Sequence, residues 1–362
     1  MLGSLVLIAI PLVLMATGAL CSARDYRLVF SIITGAAVFA VCGICAFGGP
    51  LGAEEQAYAA ITASAGYIPF DDLTLIGAPP AVTLIIKICA AFSQEPYFFP
   101  LVMAVIQSLL AAAAVFYRCE TPYAAGAVIA ACFIPAYFAG SGAFTAALIG
   151  VFASKYIEEK RFFRFAAVMM FAACFDTAAI IPVFFFILLF SENVYISALR
   201  SFVFAACAIL FTGITDSVCN ILGDGRYAVC GISPVCAAAA VLAGGIAAAM
   251  KPMLVNRSKR NDVLISETVC GALFAVAAVF DGRLFGLAVI MLMQSVIPVV
   301  PDAFAVGQKF TVLMFPEKKK TASRNFVMIC AAVLAVICVC FVFFGGFGAE
   351  RYDTALKAVI SV

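Results

Sequence analysis

Apolar windows of about twenty residues follow one another along this chain, each bounded by a short polar cluster. A helix needs about twenty apolar residues to cross the hydrocarbon core of a bilayer, which is about 30 Å thick. The windows therefore predict membrane-spanning helices. The first is expected to be a retained span, because no basic residue precedes it and no small-residue cleavage site follows it. The windows lie at 4–20, 28–48, 98–117, 123–139, 142–157, 197–215, 227–250, 263–280, 284–301 and 326–344.

The composition excludes an ordinary water-soluble protein. Of the 362 residues, 65% are hydrophobic and 12% are charged, whereas a soluble domain has about 25% charged residues. The chain is therefore predicted to be all-α, a polytopic integral membrane protein that forms one membrane domain over 1–362, with the lipid bilayer as its main partner. The net charge is only +2, so nucleic acid is not an expected partner.

Soluble-type catalytic and cofactor motifs are absent from the sequence. It has no GxxxxGK[ST], GxGxxG, HExxH or GxSxG motif. It has no histidine, and most of its 15 cysteines lie inside apolar windows, where they fill gaps between helices. We therefore predict no metal site, no cofactor and no disulfide framework.

The stretch 165–190 is also apolar, but Asp176 lies at its centre. A lone carboxylate at the middle of a bilayer costs about 2.5–3.5 kcal/mol on insertion scales. We therefore expect two short helices that meet near Asp176, whose side chain faces the protein interior or a water-filled cavity. Counting both halves gives about 12 spans.

The distribution of basic residues supports this count, because short cytoplasmic loops collect Lys and Arg. With the N-terminus outside, twelve spans place most of the 22 Lys and Arg residues in inner loops. These include the basic regions 155–164 and 251–260. A single helix over 165–190 would place the two regions on opposite faces of the membrane, so the split helix is favoured.

The longest predicted extramembrane segment is 49–97, on the outer, extracytoplasmic face. It contains one cation, Lys87, and several acidic residues, namely Glu54, Glu55, Asp71, Asp72 and Glu95. Its apolar part, 81–92, includes Lys87 and is too short to cross a membrane. It is predicted to form an amphipathic helix that is interfacial or re-entrant.

Four sequence blocks follow one another in a characteristic order. GAEEQAY lies at 52–58, after the second window, and the amphipathic segment with an acid-Pro turn lies at 79–96. The block at 140–182 combines a span, a basic loop and the broken helix, and Phe-Asp-Gly-Arg at 280–283 opens a span. In order and spacing these blocks resemble the EpsG family of exopolysaccharide polymerase-like membrane proteins, which are related in role to the Wzy polymerases.

The chain departs from the family pattern at defined positions. Glu54 stands for the aspartate of the family's Gly-x-Asp-x-x-x-Tyr motif. The arginine of the family's Asn-x-x-Arg-Gln block falls near Gly142, its histidine falls on Asp176, and a further outer arginine falls on Pro50. The resemblance therefore implies a divergent member with a GT-C or Wzy-like polymerase architecture, and it leaves catalytic activity open.

The resemblance also implies a substrate and roles for individual residues. The substrate is a polyprenyl-diphosphate-linked oligosaccharide, polymerised at the outer face of the bacterial cytoplasmic membrane, with other polysaccharide-assembly proteins as partners. Cations hold the diphosphate in such a site, and a carboxylate accepts the proton of a sugar hydroxyl. The expected catalytic set is Arg283 on the diphosphate, Glu54 as base or acceptor-sugar ligand and Asp176 as anchor of the broken helix. The expected substrate contacts are Tyr58 as a sugar-stacking platform, Glu55, Lys87 and Arg226.

Two other functions are open at this stage. A transporter of lipid-linked or small polar substrates would account for the interior Asp176 and for helices interrupted at Pro135, Pro182 and Pro298. A non-catalytic membrane subunit that docks a glycosyltransferase through its basic inner loops would account for the missing arginine and histidine.

Overall fold

The computed structural model describes residues 2–20, 26–48, 53–65, 78–119, 121–133, 141–188, 193–210, 234–258, 261–282, 284–314 and 319–344. No strand occurs in these ranges, so the prediction of an all-α chain is confirmed. A π-helical turn, Ile129–Phe133, continues α6, and a 3₁₀ turn, Thr177–Ile180, precedes α9. The α-helices of the described ranges are α1 Leu2–Leu20, α2 Arg27–Gly48, α3 Ala53–Ala65, α4 Pro80–Phe92, α5 Phe98–Arg118, α6 Pro122–Val128, α7 Ser141–Glu158, α8 Phe162–Ala173, α9 Ile181–Leu188, α10 Val194–Leu210, α11 Pro234–Arg257, α12 Asn261–Ala277, α13 Leu284–Met314 and α14 Lys319–Phe344.

Large apolar side chains lie on the outside of the bundle and polar side chains lie inside it. On α2, Leu28 and Ile32 are more than half exposed, whereas Gln107, Glu267 and Gln294 on other helices have no exposed surface. The core itself is largely apolar, but large apolar side chains on the surface together with polar side chains in the interior are expected where lipid is the surrounding solvent. Four described helices, α2, α5, α11 and α13, are long and apolar enough to cross a membrane. A multi-pass membrane protein is therefore supported, and the count of twelve spans stays a prediction.

The predicted windows match the helices closely at most ends. For example, 28–48 corresponds to α2, 98–117 to α5 and 142–157 to α7. The window 284–301 is too short, because α13 continues to Met314. The prediction that Pro298 interrupts this helix is wrong.

The interior of α13 shows how a proline is accommodated. Pro301 has no N–H, so the carbonyl oxygen of Ile297 cannot receive the usual hydrogen bond from the residue four positions later. The Cys119 thiol, just beyond α5, donates to that oxygen, with Sγ 3.7 Å from it. A neighbouring side chain thus satisfies the freed backbone group, which is how membrane helices tolerate proline.

The helix predicted to break near Asp176 does so. It forms α8 and α9, separated by a turn and the 3₁₀ segment. The ring of Phe186 on α9 lies 4.9 Å from that of Phe165 and 5.6 Å from that of Phe162, both in the first turn of α8. α9 therefore returns alongside α8 as an antiparallel hairpin, as the two-helix prediction requires.

The bundle has two chemically different ends. Ion pairs cluster at one of them, which we call the basic end, and they include Arg118–Glu158 at 2.7 Å, Arg257–Asp302 at 2.7 Å and Lys251–Asp262 at 2.6 Å. At the other end Gly286 of α13 approaches Asp176, and we call it the Asp176 end. Sixteen positions of α13 separate Gly286 from Asp302, which is about 24 Å at 1.5 Å per residue.

Two short helices lie at the start of α5, towards the Asp176 end. α4 confirms the predicted short helix at 81–92. α3 was not predicted, because the whole of 49–97 reads as an extramembrane segment. Tyr58 of α3 packs edge-on against Phe99 in the first turn of α5, with 5.7 Å between the ring centroids.

Candidate functional site

Asp176 lies in the break between α8 and α9, directly before the 3₁₀ turn. It has an extended backbone, with φ −149° and ψ 120°, and its carboxylate Oδ1 accepts a hydrogen bond of 2.8 Å from the N–H of Ala178. Aspartate is a favoured residue for capping the start of a helix in this way. Asp176 is 1% exposed, so the capping carboxylate is buried, and the N–H that it accepts from is partly buried.

Three helical elements converge on this carboxylate. A Cβ atom built on Gly286 would lie 3.1 Å from Asp176 Oδ2 and 3.6 Å from the Cβ atoms of Ala143 and Ala178. Glycine at position 286 therefore allows the first turn of α13 to approach both the aspartate and the first turn of α7. Asp176 thus lies where α7, α13 and the 3₁₀ turn meet.

The outer segment reaches this junction through α4. The N–H of Ala81, in the first turn of α4, donates to the carbonyl oxygen of Cys174 at 2.9 Å. Cys174 is in the turn that ends α8, two residues before Asp176. The amphipathic helix of segment 49–97 and the broken helix therefore form one structural unit, although they are almost a hundred positions apart in the chain.

The side chains of Lys87 and Tyr58 are both buried between neighbouring helices. The Lys87 ammonium donates to the carbonyl oxygen of Ala65, the last residue of α3, at 2.5 Å. It is a favourable position for a cation, because the C-terminal carbonyls of a helix carry partial negative charge. Lys87 and Tyr58 are 7% and 2% exposed. A substrate contact by either residue would require α3 to move away from α4 or α5, and both roles stay predictions.

The other predicted site residues are only partly described. Glu54 and Glu55 lie in the first turn of α3, and their side chains lie outside the described part of the structure. Arg226 and Arg283 also lie outside the described residues. The structure brings α3, α4 and Asp176 to one region, and the roles of all seven residues remain predictions.

Cys89 is not suited to act as a nucleophile in this region. It lies on α4, is 1% exposed, and burial raises the pKa of its thiol to about 11. The thiol is therefore protonated at neutral pH, whereas the thiolate is the reactive form.

Sequence reasoning missed three buried polar residues in the spanning helices. Gln107 donates to the carbonyl oxygen of Ser141 and to Thr145 Oγ1, at 3.2 and 3.0 Å. Gln294 and Glu267 have side-chain polar atoms without a hydrogen-bond partner. Each of the three is the amide or carboxyl residue of a short polar group inside an otherwise apolar window, and that pattern is the signal by which they could have been found.

Comparison with known proteins adds no relative: no family model, no curated protein and no solved structure matches the chain significantly.

Proposed function

We propose that this chain is a divergent EpsG-like protein of bacterial surface-polysaccharide assembly. It spans the cytoplasmic membrane about twelve times and handles lipid-linked sugar units at the Asp176 end of the bundle. The basic end, with its cluster of ion pairs, faces the cytoplasm, in agreement with the preference of cationic residues for that side.

The observation that carries the proposal is the hydrogen bond from Ala81 to Cys174. Non-helical backbone at membrane depth is tolerated only where it is buried in protein or lines a cavity. Here the non-helical turn before Asp176 is covered by an amphipathic helix of the outer segment. In the proposed function this junction of spanning and interfacial helices accommodates a substrate with a lipid tail and a polar head.

The proposed chemistry requires a cation at this junction. Leu284 and Gly286, which follow Arg283 in the chain, begin the helix that contacts Asp176. In the proposed reaction the hydroxyl of one sugar unit forms a glycosidic bond to the anomeric carbon of another, whose bond to the polyprenyl diphosphate breaks. Arg283 binds the leaving diphosphate through paired hydrogen bonds, and Glu54 accepts the proton of the attacking hydroxyl. Asp176 holds the broken helix in place.

The test is polymer production in a cell that depends on this protein. We expect Arg283→Gln and Glu54→Gln to abolish long polymer, with protein levels unchanged. Lys309→Gln is the matched control, because Lys309 is an exposed residue of the same helix as Gly286, beyond the basic end. Normal chain-length ladders in both site variants would refute the proposed roles.

A second candidate, a transporter of small polar substrates, is favoured by a different observation. Both polar atoms of the Gln294 amide are buried and without a hydrogen-bond partner, about midway between Gly286 and Asp302 on α13. Unsatisfied polar groups in a membrane interior are costly and often belong to substrate pathways. Uptake of a polar solute by purified protein in liposomes, lost in Gln294→Leu, would select this function over polymerisation.

A further inference from the structure

Glu267 is a carboxyl group inside the bundle to which the proposed polymerase chemistry gives no role. It lies on α12 and has no exposed surface. Neither of its carboxyl oxygens has a hydrogen-bond partner. It follows Asp262 by five residues, so it lies about 8 Å further into the bundle than the ion pair of Asp262 with Lys251.

The polar groups that flank Glu267 along α12 bond to other partners. One turn further along, the Cys270 thiol donates to the carbonyl oxygen of Ser197 on α10, at 3.7 Å. The adjacent Thr268 hydroxyl donates to Ser295 Oγ on α13, at 2.9 Å.

The charged groups of the surrounding helices lie elsewhere or in other pairs. On α11, Lys251 pairs with Asp262, and Arg257 pairs with Asp302 of α13. On α7, Glu158 pairs with Arg118, and Lys155 lies near Glu159 with its side chain 57% exposed. The remaining charged groups on the faces of α10 and α13 are Arg200 and Lys309, both of which are exposed.

An ionised carboxylate in these surroundings would be unstable. Burying a charge without a partner costs far more than burying the neutral acid, and groups in this position respond by becoming neutral. The described residues contain no group of three or more His, Cys, Asp and Glu that could hold a metal ion as the compensating partner.

We propose that Glu267 is a proton-binding site within the membrane domain, occupied by a proton when α10, α12 and α13 are packed as in this structure. Release of the proton leaves a carboxylate that must meet water or a cation. Proton release and opening of the helix packing around α12 are therefore coupled. The proposal is independent of polysaccharide assembly, because it rests on Glu267 and its surroundings alone.

The test is infrared spectroscopy of the full-length protein in lipid nanodiscs at pH 7, where an exposed glutamate is ionised. We expect a carboxylic C=O band in the wild-type protein that is lost in Glu267→Gln. Asp262→Asn is the matched control on the same helix. Its carboxylate pairs with the Lys251 ammonium, so this variant should retain the band. Identical carboxylic spectra for the wild type and Glu267→Gln would overturn the proposal.

A second variant covers the case in which Glu267→Gln does not fold. Glu267→Asp retains a carboxyl group one methylene shorter, so the C=O band should shift rather than disappear. An unshifted band in that variant would assign the signal to another residue and would also overturn the proposal. Neither result bears on the polymer ladders of the Arg283 and Glu54 variants, so the two proposals can fail separately.

Discussion

Removal of the Asp176 cap should destabilise the protein by a predictable amount. In Asp176→Ala the N–H of Ala178 loses its 2.8 Å bond to the carboxylate, in a position where the capping side chain is 1% exposed. Loss of a cap costs about 0.5–2 kcal/mol, and a buried unsatisfied donor costs about 1–3 kcal/mol. These ranges describe the same bond, so we expect a loss of about 2 kcal/mol, or about 30-fold in the unfolding equilibrium.

The variant Asp176→Asn distinguishes the contribution of the capping hydrogen bond to stability from that of the carboxylate charge. The amide oxygen of asparagine can accept the same hydrogen bond, so this variant should lose less than about 0.5 kcal/mol. The chain has no tryptophan, but the thiols of Cys42, Cys45 and Cys89 are buried, and their reaction with a maleimide dye reports unfolding in detergent. Equal destabilisation by alanine and asparagine would refute the capping argument and assign the stabilisation to the carboxylate charge.

Two further predictions concern helix packing and are measured by the same thiol assay. Gly271→Ala places a methyl group 2.9 Å from Leu292 Cγ and 3.1 Å from its backbone nitrogen, so it should cost about 1–2 kcal/mol after the gain in helix propensity. Gly245→Ala is its control, since no atom lies within 4 Å of the new methyl group. This control should leave stability unchanged or raise it by up to about 1 kcal/mol. The packing argument fails if the two variants change stability equally. For the buried hydrogen bond between Thr268 and Ser295, a double-mutant cycle of Thr268→Val and Ser295→Ala should give a coupling of about 0.6 kcal/mol, and additive effects would show that the bond contributes nothing.

The helices could be predicted from the sequence because hydrophobic length and a single charge are local signals. Asp176 in an apolar window predicted the break between α8 and α9, and Lys87 with the short length of its window predicted α4. The end of α13 could not be predicted. A proline such as Pro301 usually ends a helix. The hydrogen bond that Pro301 cannot donate is replaced by one from the thiol of Cys119, which is distant in the chain.

The surroundings of the site residues were less predictable than the helices that carry them. Tyr58 and Lys87 have the residue types of a sugar and diphosphate site, but their partners, Phe99 and Ala65, are set by how α3 packs. Glu267 was overlooked within a window that was correctly identified as a helix. An ionisable residue at any position of a predicted span indicates a candidate functional site, because a charge in the bilayer interior is energetically costly.

The contact between Cys119 and α13 has a practical consequence for labelling studies. Mapping which loops face each side of the membrane by thiol labelling starts from a version of the protein without native cysteines. At position 119, alanine would leave the Ile297 carbonyl without the donor that Pro301 cannot provide. Serine retains a donor, and it is the replacement that should preserve the long helix connecting the two ends of the bundle.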